Sequence, residues 1–116
     1  MNMTSVNLLE KKCVPCEGGV KPFSSREVQK YLKEIDSWSL TGKKLTKRLV
    51  FKDFMALIKF VNSLAKIAEK EGHHPDFTVH YNKLDFEIWT HAIDGLSEND
   101  FILAAKIDKL YKGFKK

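Results

Sequence analysis

The chain has 116 residues, 43% of them hydrophobic, which suits one domain with a modest core. Its net charge is +5, but 15 acidic residues are interspersed with 20 Lys and Arg, so a mixed solvated surface is expected and nucleic-acid binding is not. No stretch approaches the roughly 18 apolar residues of a membrane span, and the first residues lack the apolar centre of a signal peptide, so a cytoplasmic protein is expected.

Residues 1–22 read as an N-terminal extension packed loosely on a single domain of residues 23–116. The extension carries the only cysteines, Cys13 and Cys16, in K-K-C-V-P-C-E-G-G. One C-x-x-C supplies half a tetrahedral zinc site, and no second pair completes it. A reduced loop is the expectation.

Ser24 and Glu27 have the spacing of a capping box, and Phe23 and Val28 that of a hydrophobic staple. Val28, Tyr31, Leu32 and Ile35 then give a helix of about residues 25–35 one apolar stripe. Residues 38–40 are strand-like, Thr41-Gly42 marks a turn, and residues 44–51 form a longer strand with Leu45, Leu49 and Phe51 on one face. Lys47 interrupts that face, which requires a bulge or a snorkelling lysine.

Asp53 offers an N-cap for the longest helix, residues 53–71, whose expected buried stripe is Phe54, Leu57, Ile58, Val61, Leu64, Ala65 and Ala68. Gly72 suits the left-handed residue past a helix end, and Pro75 prevents the helix resuming. Two alternating runs follow, with Asn82-Lys83 as the expected hairpin loop. Thr78, His80, Asp85, Glu87 and Trp89 would occupy the sheet face away from the helices. Ser97 and Asp100 resemble a capping box opening a last helix. The order α-β-β-α-β-β-α predicts an α+β two-layer sandwich: a four-stranded antiparallel sheet with helices packed on one face.

In a hairpin the start of the first strand lies beside the end of the second. His73 and His74, entering the first, and His91, leaving the second, are therefore expected at one end of the sheet, around one cavity. Imidazole exchanges protons near neutrality, so this cluster points to acid–base chemistry. A three-histidine zinc site is the rival, but adjacent residues normally point apart. Asp100 reads first as a helix cap, and Trp38 as either a pocket wall or a core residue.

The block E-K-E-G-H-H-P-D-F-T-V-H-Y, followed by T-H-A at 90–92 and G-L-S-E-N-D at 95–100, resembles the signature of the pterin-4a-carbinolamine dehydratases. Glu69, His73-His74-Pro75, Tyr81, His91 and Asp100 stand at matching spacing. The similarity extends through Trp38 and residues 51–54, over about residues 24–112. The C-x-x-C-E-G-G opening is similar to that of many bacterial relatives. Gly72, Phe77 and Ala92 depart from common family choices, but none of them removes a proton-transfer group.

The resemblance implies dehydration of a 4a-hydroxytetrahydropterin to a quinonoid dihydropterin, recycling the cofactor of aromatic amino-acid hydroxylases. It implies His74 as the principal acid–base residue, with His73 and His91 orienting the pterin and contacting its 4a-hydroxyl. Glu69, Pro75, Trp38, Phe77 and Thr90 are the expected substrate-binding residues. No metal and no organic cofactor are expected. The implied partners are the pterin, a second copy of the chain in a homodimer or homotetramer, and functionally a hydroxylase. The alternative is a non-catalytic module acting as a dimerisation or transcriptional cofactor.

Overall fold

A computed structural model describes residues 7–14 and 21–114; Cys16 and Gly18-Gly19 lie outside the described residues. The elements are a 3-10 turn Leu8–Glu10, α1 (Ser25–Leu32), β1 (Ser39–Thr41), β2 (Lys44–Val50), α2 (Phe54–Glu71), β3 (Asp76–His80), β4 (Lys83–Ile88), a 3-10 turn His91–Ile93 and α3 (Glu98–Phe114). The four strands form one antiparallel sheet in the order β1-β2-β4-β3. This is the expected α+β sandwich. No helix among the described residues is long and apolar enough to cross a membrane.

Alternation along the strands decides which sheet face is buried. Leu45 and Leu49 of β2 and Leu84, Phe86 and Ile88 of β4 are buried in one core with Leu57, Phe60 and Leu64 of α2 and Phe101, Leu103 and Ile107 of α3. Each fully buried Leu, Ile or Phe contributes roughly 1.5–3 kcal/mol by removal from water. The opposite face carries Arg48 and Asp85, joined by a two-pronged ion pair at 2.6 and 2.9 Å.

The capping box on α1 is present: Glu27 N–H donates to Ser24 Oγ at 3.2 Å, and Ser24 N–H to Glu27 Oε1 at 2.9 Å. The helix stops at Leu32, three residues before the expected end, because Glu34 and Ile35 N–H groups turn back to Tyr31 and Leu32 carbonyls. Ser37, with φ 62°, then leads the chain to β1.

Lys47 needs no bulge. It stays in register opposite Phe86, and its ammonium pairs with Asp108 at 2.8 Å and also donates to the Asp36 carbonyl. Trp38 Nε1–H donates to the same carboxylate at 2.9 Å, and Asp36 N–H does so at 3.0 Å.

The β3–β4 loop is Tyr81-Asn82, not Asn82-Lys83: His80 pairs with Lys83, and Tyr81 takes φ 53°. The reason lies across the molecule. Asn82 Nδ2 donates to the Phe51 carbonyl at 2.8 Å and Phe51 N–H to the Asn82 carbonyl at 2.9 Å, tying the loop to the end of β2. Val79 and Phe77 consequently face Leu84 and Phe86 on the helix side, but β3 is an edge strand and every one of its residues is exposed.

The described part of the N-terminal extension, residues 7–14, is packed on the domain. Leu8 and Cys13 are buried in the main core, and the segment from Lys11 to Val14 is hydrogen-bonded to α2 and α3.

Candidate active site

Two chain reversals build the site. α2 ends because Gly72 adopts φ 66° and ψ 24°, a conformation a side chain resists, and His73 N–H caps the Ala68 carbonyl at 3.3 Å. At the other reversal, β4 leaves the sheet through Trp89 and Thr90. Thr90 pairs with Gly95 across the loop, which puts His91 at the start of a 3-10 turn. Gly95 is required there: an added Cβ would stand 2.6 Å from Pro22 Cβ.

His73 turns inward. Its Nε2 lies 2.7 Å from Oδ1 of Asp100, whose side chain is fully buried. Oδ2 of the same carboxylate accepts from Thr90 Oγ1 at 2.8 Å and Ser97 N–H at 2.9 Å. A carboxylate only accepts, so Nε2 of His73 carries the shared hydrogen and Nδ1 is the nitrogen left for other chemistry. Thr90 has spent its hydroxyl hydrogen, so Ser97 Oγ donates to Thr90 at 2.9 Å instead of capping α3. Only the carboxylate arm of the expected capping box forms. Asp100 both caps and holds a histidine.

His74 turns outward, with Nε2 2.5 Å from Glu69 Oε2 on the last turn of α2. His91 Nε2 lies 3.3 Å from Asp76 Oδ2, which also accepts from Trp89 Nε1–H at 3.3 Å. The Trp89 and His91 rings lie 4.2 Å apart at 36°. Each of the three imidazoles therefore has its own carboxylate, from a buried pair at His73 to exposed pairs at His74 and His91.

All three line one open cleft of about 380 Å³, with Asp76, Trp89 and Val14 among its other walls. That is enough for one small bicyclic ligand. A larger hollow of about 570 Å³ beside Asp53 and Phe114 has no histidine among its described lining residues. Among the described residues no three His, Cys, Asp or Glu side chains are grouped to hold a metal ion.

The other expected site residues are distributed unevenly. Thr90 borders the cleft, buried and committed to Asp100. Glu69 stands behind His74 and Pro75 forms the step into β3, neither lining the cleft directly. Trp38 is buried against Phe86 and Asp108, and Phe77 lies on β3 against Phe86, both away from the cleft lining. Asp76, Trp89, Asn99 and Val14 are cleft residues that sequence reasoning passed over. The signals for two of them were adjacency, Asp76 to H-H-P and Trp89 to T-H.

Beneath the cleft lies a second polar cluster. Glu71 accepts from Cys13 N–H at 2.8 Å and from Lys106 Nζ at 2.6 Å. Burial alone would raise the Glu71 carboxyl, but the Lys106 ammonium and the Cys13 N–H outweigh it and hold the group below its ordinary value. Burial, then the Glu71 charge, push the Cys13 thiol up to about 12, which leaves it protonated and unreactive at neutral pH.

With this geometry in view, the relatives are informative. The chain matches the family described as pterin 4 alpha carbinolamine dehydratase over residues 21–110. It is 47% identical to a candidate pterin-4-alpha-carbinolamine dehydratase of Nitrosospira multiformis over 97% of this chain and 99% of that one. A Rickettsia bellii protein of the same designation is 50% identical over 90% of this chain and 94% of its own. Among solved structures, a transcriptional coactivator/pterin dehydratase from Brucella melitensis superposes with a TM-score of 0.74 and 29% identity, over 78% of this chain and 98% of that one. A pterin dehydratase-like protein described as a RuBisCO assembly factor of the alpha-carboxysome aligns with a TM-score of 0.56 and 26% identity, over 65% and 89% of the two chains. Extent and identity together decide the matter: the chain belongs to the pterin 4 alpha carbinolamine dehydratase family.

Proposed function

We propose that the protein is a hydro-lyase that converts a 4a-hydroxytetrahydropterin to a quinonoid dihydropterin and water. The observation that carries the reading is the convergence of His73, His74 and His91, each backed by a carboxylate, on one cleft. In the reaction the C4a–oxygen bond breaks as the adjacent ring nitrogen forms a double bond to C4a. The leaving oxygen gains a proton and the ring nitrogen loses one, so protons balance without a redox partner. Paired imidazoles suit both transfers, each worth roughly 10²–10⁴-fold.

His74 is the principal acid–base residue in this reading, because its ring is open to the cleft and Glu69 orients it. His73, fixed by Asp100, and His91, fixed by Asp76 and in tilted ring contact with Trp89, orient the pterin and contact its hydroxyl. The substrate is what an oxygen-using, pterin-dependent aromatic amino-acid hydroxylase releases, so such an enzyme is the functional partner.

The test is His74→Ala assayed with chemically made carbinolamine. The side chain is 59% exposed and supports no core contact, so the variant should fold while losing roughly 10²-fold or more of its turnover. Near-normal turnover would overturn the assignment.

A protein-binding role is the second reading. Phe77, Val79 and Tyr81 leave an exposed apolar strip at the β3 edge, which suits a partner or a second copy in a dimer or tetramer. That role predicts association by light scattering that is indifferent to His74→Ala.

A further inference from the structure

The arm Lys11–Val14 docks on two residues that are close in sequence to the members of the buried His73–Asp100 pair. Glu71 is two positions before His73, and Asn99 directly precedes Asp100. Glu71 receives the Cys13 N–H. Asn99 clamps the next residue at both backbone groups: Val14 N–H donates to Asn99 Oδ1 at 3.0 Å, and Asn99 Nδ2 donates to the Val14 carbonyl at 2.7 Å. This reproduces the two-bond exchange of a strand pair, with an amide side chain as one partner. Buried Leu8 just before the arm and buried Cys13 within it anchor it, and Lys11 pairs with Glu98 at 3.1 Å.

The clamp fixes the backbone of a residue whose side chain is 65% exposed and lines the histidine cleft. Among the described residues that line the cleft, Val14 is the only large aliphatic side chain, the others being aromatic, polar or small. An apolar group held at a fixed position over a polar cleft loses little conformational freedom when a ligand covers it.

We propose that the N-terminal arm is a wall of the pterin site, with Val14 a specificity-determining contact on the ring system and Asn99 the positioning residue that sets it. The proposal rests on the pterin reading above and adds to it a segment outside the matched residues 21–110. Asn99 also lines the cleft, but both ends of its amide are taken up by the Val14 backbone, so its effect is assigned to the placing of Val14 and not to the reacting atoms. Its removal therefore changes binding without changing the proton-transfer steps.

The experiment compares the full chain with Val14→Ser, Val14→Ile, Asn99→Ala and the Val14→Ser/Asn99→Ala double variant. Dihydrobiopterin affinity is read by calorimetry, and KM and kcat with chemically made carbinolamine. Val14→Ser should weaken affinity and raise KM roughly tenfold with kcat and its pH profile unmoved, while Val14→Ile restores the affinity. Asn99→Ala should raise KM similarly, and adding Val14→Ser to it should change little more. If Asn99→Ala does not fold, Val14→Ser alone decides. Wild-type protein that binds dihydrobiopterin while Val14→Ser binds it equally well overturns the arm's role and leaves the pterin reading standing. Wild-type protein that binds no dihydrobiopterin overturns both.

Discussion

His73 Nε2 and Asp100 Oδ1 are 2.7 Å apart, and the carboxylate that fixes this imidazole is fully buried at the start of α3. The end of α2 and the start of α3 are 27 residues apart in sequence, and this single contact makes them one site. The same carboxylate takes the Ser97 N–H and the Thr90 hydroxyl, so the loop carrying His91 is tied to His73.

Asp100→Asn should disable the site without unfolding it. The Asn oxygen can keep accepting from Thr90 and Ser97, which leaves its NH₂ facing His73. Two donors cannot face each other, so His73 must move its hydrogen to Nδ1, the nitrogen otherwise left for substrate. The expected result is a fall in kcat of about 10- to 100-fold, read with an unchanged circular dichroism spectrum. Wild-type kcat in this variant would show that the His73 tautomer is irrelevant.

Asp76→Asn should have a smaller effect, although Asp76 supports His91 in the same way. The His91–Asp76 pair is more than half exposed on both sides and 3.3 Å long, so its net worth is below about 1 kcal/mol. A loss of under fivefold in kcat/KM is expected, against roughly 10²-fold for His91→Ala. Steady-state kinetics of the two variants side by side checks the order.

Much of the fold was legible because it depends on local periodicity. The Leu57, Leu64 and Ala68 line of α2, the capping box on α1 and the glycine stop at Gly72 are read from neighbours in sequence, whereas Phe54 and Ala65 of the expected stripe are exposed and Phe60, outside it, is fully buried. What escaped depends on distant partners. Lys47 looks like an error in β2 until Asp108, 61 residues later, arrives to neutralise it. The hairpin loop shifts by one residue because Asn82 is needed by Phe51. Trp89 was assigned to the outer sheet face by strict alternation, but β4 ends at Ile88 and the chain turns its next residues into the cleft. The histidines themselves were legible, since H-H-P and T-H each sit beside a break. The arm was not, because its docking sites are the side chains of Glu71 and Asn99.

Asp108→Ala should destabilise the fold strongly and act on the site only through that loss. Asp108 is the shared acceptor for Lys47, Trp38 Nε1–H and Asp36 N–H, and both charged side chains are about nine-tenths buried. Removing one partner of such a pair leaves the Lys47 charge uncompensated, at a cost of roughly 3–5 kcal/mol. Urea unfolding measures it. Lys47→Met with Asp108→Leu should recover only part of the loss, since it removes the stranded charge but leaves Trp38 Nε1–H and Asp36 N–H without their acceptor.

Stability should also fall in acid through the Glu71 latch, with a sign set by its depressed carboxyl. The Lys106 ammonium and the Cys13 N–H favour the ionised form in the folded protein over the unfolded chain, where the group titrates near 4.5. The folded state therefore gains stability that is complete above that value. The gain is lost as pH falls through the lower, folded value, where both states become protonated. Glu71→Gln lacks the titration and should show a flatter decline of melting temperature below about pH 4.5 than the wild-type chain. Amide exchange at Cys13 and Val14 locates the effect: both should lose protection in acid before the core strands do, because the arm's hold on α2 is the part that depends on this charge. Parallel acid profiles for the two proteins would mean that the Glu71–Lys106 pair contributes nothing to keeping the arm docked.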